Sequence, residues 1–367
     1  MKISKRLSVV VLALVLMSFA MPAFAGGQQE AGGKPYIAVV SKGEQHDFWQ
    51  QVKLGANAAA SDYGVDITFE GPASESDVQD QVEMLNSAMA KNPVAIALAA
   101  LNTNSVMDQL AETKSKGIPV IGFDSGVPNA PKGSIYANAS TDNYAAAGVA
   151  AEKMFAVIKA DIESATDASP VKIVVMNQDA AGESLLSRGK GFRDTMIKLI
   201  SEKSSLSMND IQVMGNTAYI GSGNPTMGKK VMIEMVVPAS SAATDSAAAA
   251  TAVLNKVVSD KVLGVFCSNE ATVKGLLAAT NDGSDLASKY KGLVVIGFDA
   301  GEGQKNAVRN QYFYGSITQD PYSIGYKAVE LAYKAYKGET VIDVDTGAKF
   351  YDKSNMDNAD IKGLLYD

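Results

Sequence analysis

Residues 120–126 read VIGFDSG and residues 295–301 read VIGFDAG, with six of seven positions identical at a separation of 175. An apolar run that closes on an acid is the pattern of a buried parallel strand reaching its carboxyl end. The same phrase written twice at long range suggests two half-molecules built to one plan. A Val/Ile run before a Gly and an Asp is also a common local pattern, so the surrounding chain must decide.

Around each copy, short apolar runs alternate with amphipathic stretches. In the first half, strands are expected at 36–41, 66–70, 95–99, 119–123 and 134–137, with helices at 48–63, 75–90, 103–116 and 143–160. Val78, Val82, Leu85 and Met89 recur at intervals of three and four and give one helix an apolar face. Thr103 or Asn104 is the expected cap of the next helix, and Pro119 reopens an extended segment after it. The pattern restarts near Val171, with strands at 172–176, 210–214, 231–237, 263–266, 293–298 and 313–318. Helices are expected there at 184–201, 242–258, 271–280, 303–310 and 321–336, and residues 215–230 read as an inserted loop or hairpin. Strands alternating with helices at this spacing give an α/β fold of doubly wound parallel sheets. The two VIGFD phrases then close matching strands of two lobes.

The ends and the composition narrow the class. Lys2, Lys5 and Arg6 precede an apolar run, residues 7–20, followed by Ala23-Phe24-Ala25. That is the pattern of a secretory signal peptide cut after Ala25, since a largely apolar run of fourteen residues falls short of the ~20 a spanning helix needs. Residues 26–34 read as a flexible leader. Removing the first 25 residues leaves 30 basic against 40 acidic side chains, which disfavours nucleic acid or an anionic membrane as partner. Cys267 is the single cysteine and reads as core filling, and His46 is the single histidine. Metal cages and Cys-His catalytic pairs are therefore hard to build, and no cofactor, metal or catalytic residue is expected. The segment GNPTMGKK, residues 223–230, nearly spells a phosphate loop, but Lys230 stands where Ser or Thr is required and Pro225 breaks the run of amides.

In open α/β sheets, ligands sit outside the carboxyl ends of the strands, near the point where strand order reverses. Two facing lobes make a cleft with Asp124 at one lip and Asp299 at the other. Either acid could instead cap a following helix, and Arg188 could pair with an acid on its own helix. Trp49 could be core; its polar neighbours Gln45, His46 and Asp47 place it in a loop after the first strand, where ligand stacking is expected.

Across about 36–350 the chain resembles the periplasmic sugar-binding proteins of the ribose/galactose type, the receptors of ABC sugar importers. The landmarks, in order, are VVSKGEQHDFW, VIGFDSG, SRGKGF, FCSNEATVKGLLAA, VIGFDAG and ITQDPYSIGYKAVE. The resemblance implies lobe one over 35–140 plus part of the C-terminal segment, about 321–350, and lobe two over 141–320, joined by a hinge. It implies ligand contacts at Ser41, His46, Phe48, Trp49, Asp124, Ser125, Arg188, Asn269, Asp299 and Gln319. Carboxylates, amides and a guanidinium suit vicinal sugar hydroxyls, and Phe and Trp suit the C–H faces of the ring. Two positions depart from ribose-type members: the first loop is one residue longer and puts His46 near an Asn position, and Ser125 replaces an Arg.

The expectation is a monomeric extracytoplasmic receptor that delivers a monosaccharide to an ABC permease, with a chemoreceptor as a second partner of the same closed state. The alternative ligand is another small polar molecule: a nucleoside, a cyclic polyol or a sugar-like signal. A sugar-responsive repressor shares the two-lobed plan but needs a DNA-binding headpiece where this chain has its apolar leader. A secreted enzyme needs a nucleophile–base pair or a metal constellation that the sequence does not offer.

Overall fold

The computed structural model describes residues 33–44 and 46–366; the expected signal peptide, and the leader up to residue 32, lie outside them. The first sheet is built from β1 (Tyr36–Val40), β2 (Asp66–Glu70), β3 (Ala95–Leu98), β4 (Val120–Phe123) and β5 (Ile135–Ser140). The second holds β6 (Val171–Met176), β7 (Ile211–Gly215), β8 (Val231–Val236), β9 (Val262–Cys267), β10 (Val294–Phe298) and β11 (Gly315–Gln319). Two short strands complete them: β12 (Val344–Asp345) joins the first sheet and β13 (Ala348–Tyr351) the second. The orders are β12-β5-β4-β3-β1-β2 and β13-β11-β10-β9-β6-β8-β7, parallel throughout except for β13 against β11. Helices on both faces leave the central strands buried on both sides, so β3, β4, β6 and β11 are buried at every residue. The edge strand β7 and its neighbour β8 instead alternate buried with partly exposed positions.

The two phrases occupy equivalent places. β4 lies between β3 and β5, and β10 between β9 and β11. The glycine of each phrase leaves room for a side chain beneath it: a Cβ on Gly122 would overlap Asn138 Oδ1, and one on Gly297 would crowd the Gln304 amide. Strand order reverses at β1 in the first sheet and at β6 in the second, so both switch points face the same side as the two Asp-bearing strand ends.

The chain crosses between sheets after Ser140, after Gln319 and after Asp345. The helix Pro321–Tyr336 returns to the first lobe and packs on the helix Asp47–Tyr63. Their contact rests on two glycines, because a Cβ on Gly55 would overlap the Tyr322 carbonyl and one on Gly325 the Val52 carbonyl. At Gly347 (φ 79°) the chain turns, and β13 pairs antiparallel with β11. Strands of two and four residues are too short to show a period.

Two helices begin later than expected, at Val78 and at Met107. Neither Thr103 nor Asn104 caps the second: the Asn102 side chain takes the Asn104 N–H (2.9 Å) and holds 102–104 in a turn. Residues 215–230 form one short helix, Thr217–Ile220, and a strap along the outer edge of β7. Val213 N–H donates to Pro225 O (2.7 Å) and Gly228 N–H to Ile211 O (3.0 Å) on the side away from β8, while the bond from Lys230 N–H to Asp210 O (3.0 Å) leads into the β7–β8 ladder. The insertion thus covers an edge that would otherwise expose unpaired backbone groups.

Gly325→Ala is expected to lower stability by about 1–3 kcal/mol, because the helix pair must separate to admit one methyl group. Gly363→Ala, where nothing stands closer than 3.8 Å, should stay within about 0.5 kcal/mol of the parent in the same urea titration.

Candidate functional site

The carboxyl ends of the strands converge on one cavity. On the first lobe, Asp124 directly follows β4 with φ 54°, and its N–H donates to Ala139 O on β5 (3.0 Å). Ser125 N–H folds back to Phe123 O (2.5 Å), closing a tight turn centred on Asp124. On the second lobe, Asp299 follows β10 with φ 83° and donates its N–H to Ile317 O on β11 (2.6 Å). A left-handed backbone is uncommon outside glycine and tolerated best by Asp and Asn. The turn carries each carboxylate off the strand axis into one cavity. No helix starts at Asp124, and Gly301 is the cap of the helix after Asp299, so the capping alternative fails in its simple form. Asp299 instead accepts the N–H of Glu270, first residue of the helix Glu270–Ala278 (3.0 Å).

Around Asp299 the second lobe is densely bonded. Gln319 Nε2 donates to its Oδ1 (2.7 Å), and Arg188 Nη1 lies 3.8 Å from its Oδ2. Arg188 has no surface acid as partner. It is buried, donates to Asn143 Oδ1 (2.7 Å) and Ser268 O (3.2 Å), and lies 3.9 Å from the centre of the Phe298 ring. Burial pushes the Asp299 carboxyl above its ordinary pKa, with Arg188 and Gln319 opposing the rise. Asn269 caps the helix Glu270–Ala278: its Oδ1 accepts from Thr272 N–H (3.2 Å) while its amide nitrogen donates to Gln178.

On the first lobe Phe48 and Trp49 open the helix Asp47–Tyr63 and stand edge to face, ring centres 5.0 Å apart. Trp49 also meets Phe123 of β4 edge-on (6.3 Å) and donates its indole N–H to Glu75 Oε1 (2.9 Å). It is therefore both core and cavity wall. Lys42, not foreseen from sequence, reaches between the lobes: its ammonium lies 3.0 Å from Asp124 Oδ2, donates to Ser184 Oγ (3.3 Å) and sits 5.9 Å from the Trp49 ring centre. Burial lowers the Lys42 pKa, but Asp124 and Glu75 outweigh that and Arg188's repulsion, so the ammonium ends above its ordinary value.

Across the gap, His46 Nδ1 lies 3.7 Å from Glu270 Oε1. Of the ten residues named from sequence, eight line this cavity: His46, Phe48, Trp49, Asp124, Arg188, Asn269, Asp299 and Gln319. Ser41 and Ser125 do not. Ser41 Oγ donates to Gly43 O (2.8 Å) and shapes the first loop, whereas Ser125 Oγ accepts Ser184 N–H from the other lobe (3.3 Å). Lys42, Glu75, Leu185, Glu270 and Ala271 line it as well and were missed. Glu270 could have been found from its place beside Asn269 after a strand; Glu75 carries no local signal. Gln81, also missed, ties the ends of β1 and β3 by donating to Ser41 O (2.9 Å) and Ala99 O (2.8 Å) and accepting Leu101 N–H (2.9 Å). The cavity measures about 30 Å³, room for one or two waters.

Comparison with known proteins follows the same lines. The periplasmic binding protein domain family matches residues 37–340. A structure from Brachyspira murdochii, described as an ABC transporter of the LacI transcriptional-regulator family, is 41% identical with TM-score 0.74, covering 91% of this chain and 99% of that one. An ABC transporter solute-binding protein from Agrobacterium vitis, solved with bound D-fucose, is 28% identical with TM-score 0.71, covering 90% and 100%. The D-allose-binding periplasmic protein of Escherichia coli (strain K12) is 23% identical over 319 residues, 85% of this chain and 88% of that one. With the family match running from β1 through the helix Pro321–Tyr336, the chain belongs to the periplasmic binding protein family.

Proposed function

We propose that this protein is an extracytoplasmic receptor that binds one neutral monosaccharide between its lobes and presents it to an ABC-type permease. The observation that carries the reading is the pair of carboxylates, Asp124 and Asp299, delivered by the same strand-end turn to one cavity beside the Phe48–Trp49 aromatic pair. Hydroxyls both donate and accept, so they can satisfy carboxylates, amides and cations together.

Charge balance favours a neutral ligand. Asp124 faces Lys42, Asp299 faces Arg188, and Glu270 faces His46 and Lys274. Glu75, the remaining lining acid, takes the Trp49 indole N–H and already acts on Lys42 and His46, so an ionic ligand would bring a buried charge with no free counterpart, at a cost of several kcal/mol. A polyhydroxy ring inserts between the pairs without disturbing their sum. The bound D-fucose of the Agrobacterium vitis relative and the D-allose of the Escherichia coli one are ligands of this class.

A cavity of about 30 Å³ admits no hexose, so binding requires the lobes to part and close again. The three crossings between sheets are the natural hinge. A larger hollow of about 700 Å³ beside those crossings is a poorer candidate, because its acids are already engaged. Asp343 accepts Asn138 N–H (2.8 Å), Asp345 accepts Asp142 N–H (3.0 Å) and Asp142 caps Ala145 N–H (2.9 Å). We assign export to residues 1–25 as a signal peptide, a monomeric state, binding without bond-making chemistry, and a chemoreceptor as the second partner for the closed form. No helix among the described residues is long and apolar enough to cross a membrane.

A thermal-shift screen over pentoses, hexoses, cyclic polyols, nucleosides and charged amino acids tests the reading. A ligand present at a hundredfold excess over its Kd adds about 2.7 kcal/mol to the stability of the native state. At least one monosaccharide should raise the melting temperature and change Trp49 emission. A shift with nucleosides or charged ligands alone would overturn the proposal.

A further inference from the structure

Only one close pair of titratable groups joins the lobes directly across the cavity among the contacts described above, and the ligand contacts do not use it up. His46 belongs to the first lobe. It is the residue before the helix Asp47–Tyr63, and its carbonyl accepts Trp49 N–H (2.9 Å) and Gln50 N–H (3.3 Å), so its backbone moves with the element that bears Phe48 and Trp49. Glu270 belongs to the second lobe and is tied by its own N–H to Asp299. Its carboxylate is 94% buried, and neither oxygen receives a well-oriented hydrogen bond, so it is held by charge alone. Any motion that separates Asp124 from Asp299 also separates His46 from Glu270.

Resting on the receptor reading above, we propose that His46 and Glu270 form a proton-controlled latch that holds the cleft shut more firmly as pH falls. The charged groups facing His46 are Glu75 from the loop after β2, Glu270, and Lys274 one turn along the second lobe's helix; Glu44 and Asp47 lie on its own segment. Lys274 also contacts Glu270 but is 55% exposed, so water screens its competition. The facing Glu270 carboxylate raises the His46 pKa above 6.5 against the opposing effect of burial, with Glu75 adding to the rise. Opening the cleft removes Glu270 and returns the ring toward its ordinary value. Closure therefore takes up a proton over the interval between the two values, and the closed form gains as pH falls through it. The gain persists until Glu270 itself protonates; burial raises its pKa, but His46 and Lys274 outweigh that and hold it below the ordinary 4.5.

The test places distance labels on Lys116→Cys and Lys291→Cys, exposed positions on the two lobes; Cys267 is buried and stays unlabelled. In ligand-free protein the closed-to-open ratio should rise about three- to tenfold from roughly pH 8.5 to 5.5, a pKa unit being worth tenfold. Glu270→Gln and His46→Gln should each flatten that slope. The monosaccharide found by thermal shift should bind more tightly at the lower pH by a similar factor, with proton uptake seen by calorimetry in buffers of differing ionisation heat. A pH-independent distance, or a slope that survives in either variant, overturns the latch. A pH-dependent distance that needs Glu270, in a protein that binds no monosaccharide, overturns the receptor reading and leaves the latch standing.

Discussion

The molecule turns on a backbone device used twice. A parallel strand ends in Gly-Phe-Asp, the Asp takes a left-handed conformation, and its N–H bonds the carbonyl of the next strand. Unpaired buried amides are costly, so this bond fixes where the turn occurs and which way the carboxylate leaves it. In the first lobe the partner is Ala139 and in the second Ile317, one on each sheet's neighbouring strand. Everything else in the cavity is arranged around the two acids so placed.

The lobes neutralise their acids differently. Asp299 is surrounded by fixed donors: Gln319, the Glu270 amide, and Arg188, which is itself clamped by Asn143, Ser268 and the face of Phe298. Asp124 faces the flexible stem of Lys42, whose ammonium also reaches the opposite lobe at Ser184. One side of the cleft is preorganised and the other adjustable. A lysine can withdraw or redirect its donors when a ring enters, at the cost of rotamer freedom, whereas a bonded guanidinium cannot.

Much of this was legible in the sequence because the decisive signals were periodic or repeated. The apolar runs, the helical intervals and the two VIGFD phrases each carry a pattern that a packed sheet imposes. What escaped has no period. Lys42 reads as an ordinary exposed lysine in a loop, yet folding buries it against Asp124, Trp49 and, from the other lobe, Ser184. Glu75 lies far along the chain from Trp49 Nε1, and Gln81 binds strand ends that only folding brings together. Ser41 and Ser125, adjacent to true cavity residues, are turned away by their bonds to backbone. The strands Val344–Asp345 and Ala348–Tyr351 are fixed by partners in two different sheets, so no local sequence feature announces them.

The central claim is that both repeated acids hold the same ligand from opposite lobes. Calorimetric titration of the monosaccharide into the parent, Asp124→Asn, Asp299→Asn and the double variant tests it most directly. Each single change should weaken binding by about ten- to a hundredfold, since a charge-assisted hydrogen bond to a carboxylate contributes ~1.5–3 kcal/mol. Asn keeps the size of Asp and so largely spares the packing. A variant at either position that binds within threefold of the parent contradicts the account, because one lobe would then hold the ligand without the acid its strand was built to present.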